Sequence, residues 1–201
     1  MLPPVDPKND VTALILAGGE GRRFGGADKG LITFGGRPLV SHVSDALQGQ
    51  VKTLMISANR NLSTYQALGY EVVTDEIPGL IGPLAGFVSG LRQVKTPYLV
   101  TVPCDAPRVA PDLVERLLHA LIDSNSNIAV AHDGSRLQAV HTLIDVRVLP
   151  HLQAFLEAGN RKVQDWIRSC SNVEVDFSDA AEYFRNVNTP ADYQRLDSPG
   201  D

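Results

Sequence analysis

Residues Leu16 to Gly30 read "LAGGEGRRFGGADKG" and overlap the end of the apolar run "VTALILA" at residues 11–17. The stretch holds six glycines, two adjacent arginines and one lysine. An unbroken apolar run that ends in glycines has the pattern of a buried parallel strand. A strand that opens into a loop so rich in glycine and cation suits an anion. Glycines let main-chain amides approach it, and the basic side chains answer its charge.

Three glycine-loop chemistries compete for this stretch. A P-loop places Gly directly before Lys and then Ser or Thr for magnesium, but Lys29 follows Asp28 and precedes Gly30. A dinucleotide fingerprint needs G-x-G-x-x-G and an acid at the tip of the second strand. Gly19-Glu20-Gly21-Arg22-Arg23-Phe24 lacks the third glycine, and the second strand runs out in "ISANR". The third chemistry is a nucleoside triphosphate loop of nucleotidyltransferase type. There Gly18, Gly19 and Gly21 allow close backbone approach, while Arg22, Arg23 and Lys29 donate to phosphate oxygens.

Outward from the loop, strand and helix patterns alternate. "PLVSHVSDAL" places Leu39, Val43, Ala46 and Leu47 on one helical side behind Pro38. "KTLMISA" reads as a strand, "NLSTYQALG" as a short helix and "YEVVTD" as a strand ending at Asp75. After the glycine- and proline-rich "EIPGLIGPLAG" come a helix, and then a strand "TPYLVTVPCD" ending at Asp105. In "APDLVERLLHALIDS" Pro111 opens a helix that buries Leu113, Leu117, Leu118 and Leu121. "NIAVAHDGSRLQAVHTLID" reads as two strands around an Asp133-Gly134 turn. Helical patches at 147–158 and 161–169, a strand "NVEVDF" and a closing helix "NTPADYQRL" complete the chain. The expected fold is α/β and Rossmann-like: a mostly parallel sheet, helices on both faces and a small antiparallel hairpin. Ligands of such sheets sit at the carboxyl ends of the strands, so the glycine loop, Asp75 and Asp105 are expected to be neighbours.

Bulk properties narrow the function classes. The 201 residues, 43% hydrophobic, suit one domain, expected at 11–198, behind a short disordered lead at 1–10. The formal charge of −5 argues against nucleic acid as a partner. No apolar run approaches the roughly 18 residues of a membrane span, and no secretory signal pattern begins the chain. Cys104 and Cys170 have neither zinc spacing nor a disulfide framework. The expected setting is the cytoplasm. Cys104 reads as a buried filler and Trp166 as core, and His132 and His141 flank the hairpin without a third ligand at metal spacing.

"LAGGEGRRFGGADKG" resembles the signature of molybdenum cofactor guanylyltransferases, L-A-G-G-x-x-x-R-M-G-G-x-D-K, with Phe24 at the methionine position. The similarity continues in the family's order through "GRPLVSHV", "ANR", "GPLAG", "PCDAP", "HDG", "AGNRKV" and "NVNTP". It covers nearly the whole chain after the first ten residues. Cytidylyl- and uridylyltransferases share the fold and the first loop. They more often carry D-x-D-T-P where this chain has Asn186-Val187-Asn188-Thr189-Pro190.

The resemblance implies transfer of GMP from GTP to the terminal phosphate of molybdenum-molybdopterin, with release of pyrophosphate. It implies magnesium on Asp105, and Lys29, Arg23 and Asp105 as the catalytic set. It implies Leu16, Ala17, Gly18, Gly19, Lys29, Ser57, Asp75 and Asp105 on GTP. Gly26, Gly82, Gly86, Arg161, Lys162, Asn186 and Asn188 fall on the molybdopterin side. It also implies transient contact with cofactor-delivery and acceptor molybdoenzyme proteins. Structural jobs stand beside several of these roles: Asp75 as a turn-former, Gly82 and Gly86 at a helix start, and Asn186 to Pro190 as a capped turn. The family often has asparagine at the position of Ser57, which has a shorter reach. It often has His-Pro where this chain reads "LQAVHT", so a role for that loop does not carry over. Arg161 and Lys162 at a helix start oppose the dipole, which favours a functional reason for them.

Overall fold

The computed structural model describes residues 5–18, 27–75, 82–187 and 192. Strand β1 (Val11–Leu16) is buried along its length except at its last residue, which is half-buried. It is flanked in parallel by β4 (Thr53–Ser57) and β6 (Tyr98–Pro103), and β4 pairs in parallel with β5 (Glu71–Val73). Two strands buried on both faces explain the continuous apolar runs. Beyond β6 the direction changes. β8 (Leu137–Asp145) runs antiparallel to both β6 and β7 (Ile128–His132), and β9 (Asn172–Asp176) closes the edge parallel to β7. Among the described residues the main sheet has the order β5-β4-β1-β6-β8-β7-β9.

Helices cover both faces, as the alternating pattern predicts. On one face α2 (Leu39–Gln48) and α5 (Leu113–Asp123) pack over β1 and β7, with Leu117, Leu118 and Leu121 fully or nearly fully buried. On the other, α4 (Pro83–Gln93), α6 (Leu149–Glu157) and α7 (Val163–Ser169) gather around Trp166 and Phe87, whose rings meet edge to face at 5.8 Å. Trp166 is thus core, as expected. The short α3 (Leu62–Ala67) joins β4 to β5.

The structure adds or changes a few details. The lead expected to be disordered holds one helical turn, α1 (Pro7–Asp10), capped by the Asp6 carboxylate on the Lys8 amide. Helix α5 begins at Leu113, with Pro111 and Asp112 in the preceding turn. A second hairpin, unforeseen in the sequence, pairs β2 (Thr33–Phe34) with β3 (Arg37–Pro38). Gly35 and Gly36 turn it with φ of 52° and 78°, the positive pair that a two-residue hairpin turn requires. The expected hairpin of β7 and β8 is present, but its register slips. Val130 pairs with Thr142 and Ala131 with Gln138, which leaves Ala139 to His141 as a bulge in β8. The expected closing helix lies outside the described residues, apart from Asp192.

Candidate active site

The four parallel strands end level with one another. The Ala17 amide donates to Ser57 O (2.8 Å), Ala58 to Val73 O (3.0 Å) and Cys104 to Leu16 O (3.1 Å). This brings Gly18, Asn59, Asp75 and Asp105 to one edge, as the sequence predicted for the glycine loop and the two aspartates.

The far end of the glycine loop is fastened from below. Asp28 is 8% exposed and accepts from the Tyr65 hydroxyl (2.7 Å), the Asn61 side chain (3.1 Å) and the Gly30 amide (3.2 Å). Arg60 reaches the Ala27 carbonyl at 3.0 Å and stands 3.8 Å from the Asp28 carboxylate. Burial, and then the bond to Asp28, raise the Tyr65 hydroxyl far above the ordinary phenol range, so it stays a donor. A Cβ on Gly30 would lie 2.5 Å from that hydroxyl, so only glycine fits. The neighbouring Lys29 is thereby aimed across the edge. Its Nζ donates to Asp105 Oδ2 at 2.7 Å, with side chains 20% and 15% exposed.

Asp105 is the hub of the edge. It follows Cys104, a thiol that burial first and Asp105 second push well above its usual value, so Cys104 is an inert filler and not a nucleophile. The Asp105 carbonyl accepts from the Val187 amide at 2.7 Å, which draws Val187, and exposed Asn186 with it, to the same place.

Asp75 is held by a residue that the roles inferred from sequence left out. The Asn59 side chain donates to Asp75 Oδ2 at 2.6 Å and accepts from the Asp75 amide at 2.9 Å. The other carboxylate oxygen, Oδ1, is buried without a hydrogen-bond partner among the described residues. A buried acceptor with an empty lone pair is costly unless a ligand supplies the donor. The "ANR" segment was the only signal for Asn59, and "ADKG" the only one for Asp28. Neither motif says which side chain does the holding.

Other inferred residues have structural work at their positions. Gly86 is buried inside α4, where a Cβ would lie 2.7 Å from Ser57 Oγ and 2.8 Å from Leu16 Cδ2. Its absent side chain lets the helix settle on the strand ends, and Ser57 faces that contact. Gly82 caps α4 at φ 106°, a conformation that favours glycine. Arg161 donates to the carbonyls of Leu156 (2.7 Å) and Asn160 (2.6 Å), closing the end of α6, while Lys162 is the N-cap residue of α7. Since β8 runs opposite to β6, α6 starts at the far edge and returns, so this turn still lies toward the Asp105 edge. Gly19, Arg22, Arg23, Gly26 and Asn188 lie outside the described residues.

Among the described residues no three His, Cys, Asp or Glu side chains gather as a metal site. That donor set still fits magnesium, which is commonly held by one or two carboxylates together with substrate phosphates and water. Asp105, a hard oxygen donor just past a strand tip and paired with Lys29, is the residue that could hold it.

A family model described as the MobA-like NTP transferase domain matches residues 13–174. The chain is 44% identical over 186 residues to a molybdenum cofactor guanylyltransferase of Shewanella sediminis, spanning 92% of this chain and 95% of the relative. It is 43% identical over 199 residues to that of Ralstonia nicotianae, spanning 94% and 97%. Among solved structures, molybdopterin-guanine dinucleotide biosynthesis protein A of Archaeoglobus fulgidus superposes with a TM-score of 0.75 at 20% identity, covering 92% of this chain and 95% of that one. A CMP:2-keto-3-deoxy-manno-octonic acid synthetase solved with CTP superposes with a TM-score of 0.65 at 16% identity, covering 94% and 96%. Both likenesses bear on the fold alone.

Proposed function

The chain belongs to the MobA-like NTP transferase family, and from that membership we infer that it is a molybdenum cofactor guanylyltransferase. It transfers GMP from GTP to the terminal phosphate of molybdenum-molybdopterin and releases pyrophosphate. The relatives supply the identity of the substrates. Within the molecule one observation carries the reading: Lys29 and Asp105, from a glycine loop and a strand tip far apart in sequence, meet at 2.7 Å on the carboxyl edge of the sheet.

That pair is a resting arrangement for phosphoryl chemistry. When the triphosphate enters, Lys29 exchanges Asp105 for phosphate oxygens, which frees the Asp105 carboxylate. Asp105 is the residue that would hold magnesium, which would supply charge neutralisation for the phosphates. The amide of Gly18 faces the phosphates, and the family resemblance assigns Gly19 to GTP and Arg23 to the phosphates or the leaving pyrophosphate. Asp75, oriented by Asn59, offers its unsatisfied Oδ1 to an N–H or O–H donor of guanosine. Asn186 approaches from the other side of Asp105 with the acceptor. The protein contributes position and charge and no covalent intermediate. The reaction belongs to the cytoplasm, with transient handover to delivery and acceptor proteins.

A thermal-shift comparison tests the nucleotide choice. GTP with magnesium should stabilise the fold more than CTP or ATP, because a base-specific site adds binding energy only to the native state. An equal or larger shift with CTP would turn the reading to a cytidylyltransferase.

A further inference from the structure

The nucleotide residues lie on the β5-β4-β1 side of Asp105, at Gly18, Asn59 and Asp75. In-line displacement at the α-phosphate needs the attacking oxygen opposite the leaving group, so an acceptor has the β8-β7-β9 side open to it. On that side, at the edge where β7 ends and β8 begins, a groove of about 450 Å³ lies between the hairpin loop Asp133–Arg136 and the segment Ala181–Arg185. The volume falls within the range of small-molecule sites.

We propose that this groove seats the anionic body of the phosphate-bearing acceptor, with Arg136 and Arg185 as its cationic walls. The proposal rests on the guanylyltransferase reading and deepens it, since neither arginine was among the residues inferred for the acceptor.

The groove is preformed. Gly134 has a φ of 87°, and a Cβ there would lie 2.8 Å from Ser178 Cβ, so the hairpin loop packs directly on Ser178, where the turn Ser178–Phe184 that carries the opposing wall begins. Phe184 forms the buried floor, held edge to face by His141 at 4.9 Å and Phe177 at 5.4 Å. Such preorganisation lowers the cost of ordering a ligand.

The groove lining is positive because two arginines, Arg136 and Arg185, outnumber its one carboxylate, Asp133, whose oxygens are taken up by the loop itself. Asp133 accepts from the Ser135 amide (2.8 Å), the Ser135 hydroxyl (2.7 Å), the Arg136 amide (2.8 Å) and Gln138 Nε2 (2.6 Å). Arg136 Nε stands off at 3.8 Å from it, with the arginine side chain 69% exposed. Arg185 is exposed as well. Two guanidinium forks facing one groove suit oxyanions. Arg161, on the turn after α6, has its Nη1 on the carbonyls of Leu156 and Asn160.

The groove also leads to the reacting centre. From its floor at Phe184 the chain runs three residues to Val187, whose amide is fixed to the Asp105 carbonyl at 2.7 Å. Three extended residues span at most about 10 Å, so an acceptor lying in the groove can present its phosphate beside Asp105.

The test compares the unmodified protein with Arg136→Ala/Arg185→Ala and Arg136→Glu/Arg185→Glu. It measures transfer with molybdenum-molybdopterin varied at saturating GTP, GTP affinity by calorimetry and Tm. The acceptor KM should rise roughly 10-fold in the alanine pair and roughly 100-fold in the glutamate pair. GTP affinity should stay within about twofold and Tm should be unmoved, since both side chains are exposed. An unchanged acceptor KM in both pairs, or a parallel loss of GTP affinity, overturns the groove while leaving the guanylyltransferase reading in place. Failure of the unmodified protein to transfer GMP at all overturns that reading and the groove assignment with it.

Discussion

From β5 to β6 four parallel strands end level and hand their tips to one edge, whereas beyond them β8 runs back against β6, β7 pairs with it in a slipped register, and β7 and β9 resume the direction of the first four. The parallel half holds its functional groups by short bonds between strand ends, such as Asn59 on Asp75 and Lys29 on Asp105. The other half holds its groove by turn chemistry and ring packing, through Asp133, Gly134 and Phe184. The difference follows the two substrates. A triphosphate needs a fixed ring of amides and cations around a metal carboxylate, while an acceptor needs a surface shaped to its own outline.

The sharpest break between the halves is expected at Asp105, where they meet. Asp105→Asn keeps the shape and removes the charge proposed to hold magnesium. Turnover should fall by about three orders of magnitude, with the fold retained by far-ultraviolet circular dichroism. Near-normal turnover at ordinary magnesium would remove Asp105 from the metal. Next in size is Lys29→Ala, which should weaken GTP binding by about 1.5–3 kcal/mol, the range for a hydrogen bond to a charged group. Calorimetry on this variant should also find magnesium binding without nucleotide improved, because Asp105 loses its resting partner. Improved GTP binding would contradict the exchange of partners described for Lys29.

Much of the parallel half was legible in the sequence. Apolar runs ending in Gly18, Asp75 and Asp105 marked the strands and the edge where their tips meet, because strands buried on two faces leave long apolar signatures; they left the strand order open. The holding residues were hidden. Asn59, Asp28 and Tyr65 act through contacts between elements, and no local pattern marks such pairs. The irregular half was legible only as a hairpin. The Asp133-Gly134 dipeptide announced the turn, but the bulge at Ala139–His141 depends on how β6, β8 and the Phe184 segment compete for space. Arg161 shows the opposite case: its charge at a helix start looked functional, and in the structure it closes the helix before it.

The bulge supplies a stability prediction specific to the irregular half. His141 is 1% exposed, neither ring nitrogen has a partner among the described residues, and burial lowers its pKa from 6.5 to about 3. The unfolded chain therefore binds a proton below 6.5 that the folded chain refuses until about 3. The stabilisation is complete above the unfolded value and is lost as pH falls, at up to about 1.4 kcal/mol per pH unit. Urea unfolding between pH 7 and 5 should show that slope, and His141→Leu should flatten it. A slope unaltered in the variant would assign the acid sensitivity elsewhere.

The smallest expected effect lies back in the parallel half. Asn59→Ala removes the bond that orients Asp75 and should weaken GTP by about 1 kcal/mol without altering acceptor KM. A change in acceptor KM with GTP affinity intact would break the division between the halves.

The account as a whole stands on where the nucleotide's phosphates go. The direct measurement follows GTP labelled at the α- or γ-phosphate in the presence of magnesium and molybdenum-molybdopterin. The α-label should pass to the acceptor and the γ-label should leave as pyrophosphate in equal amount, with CTP giving little transfer. Label retained on the protein, no transfer from GTP, or preferred transfer from CTP would contradict it.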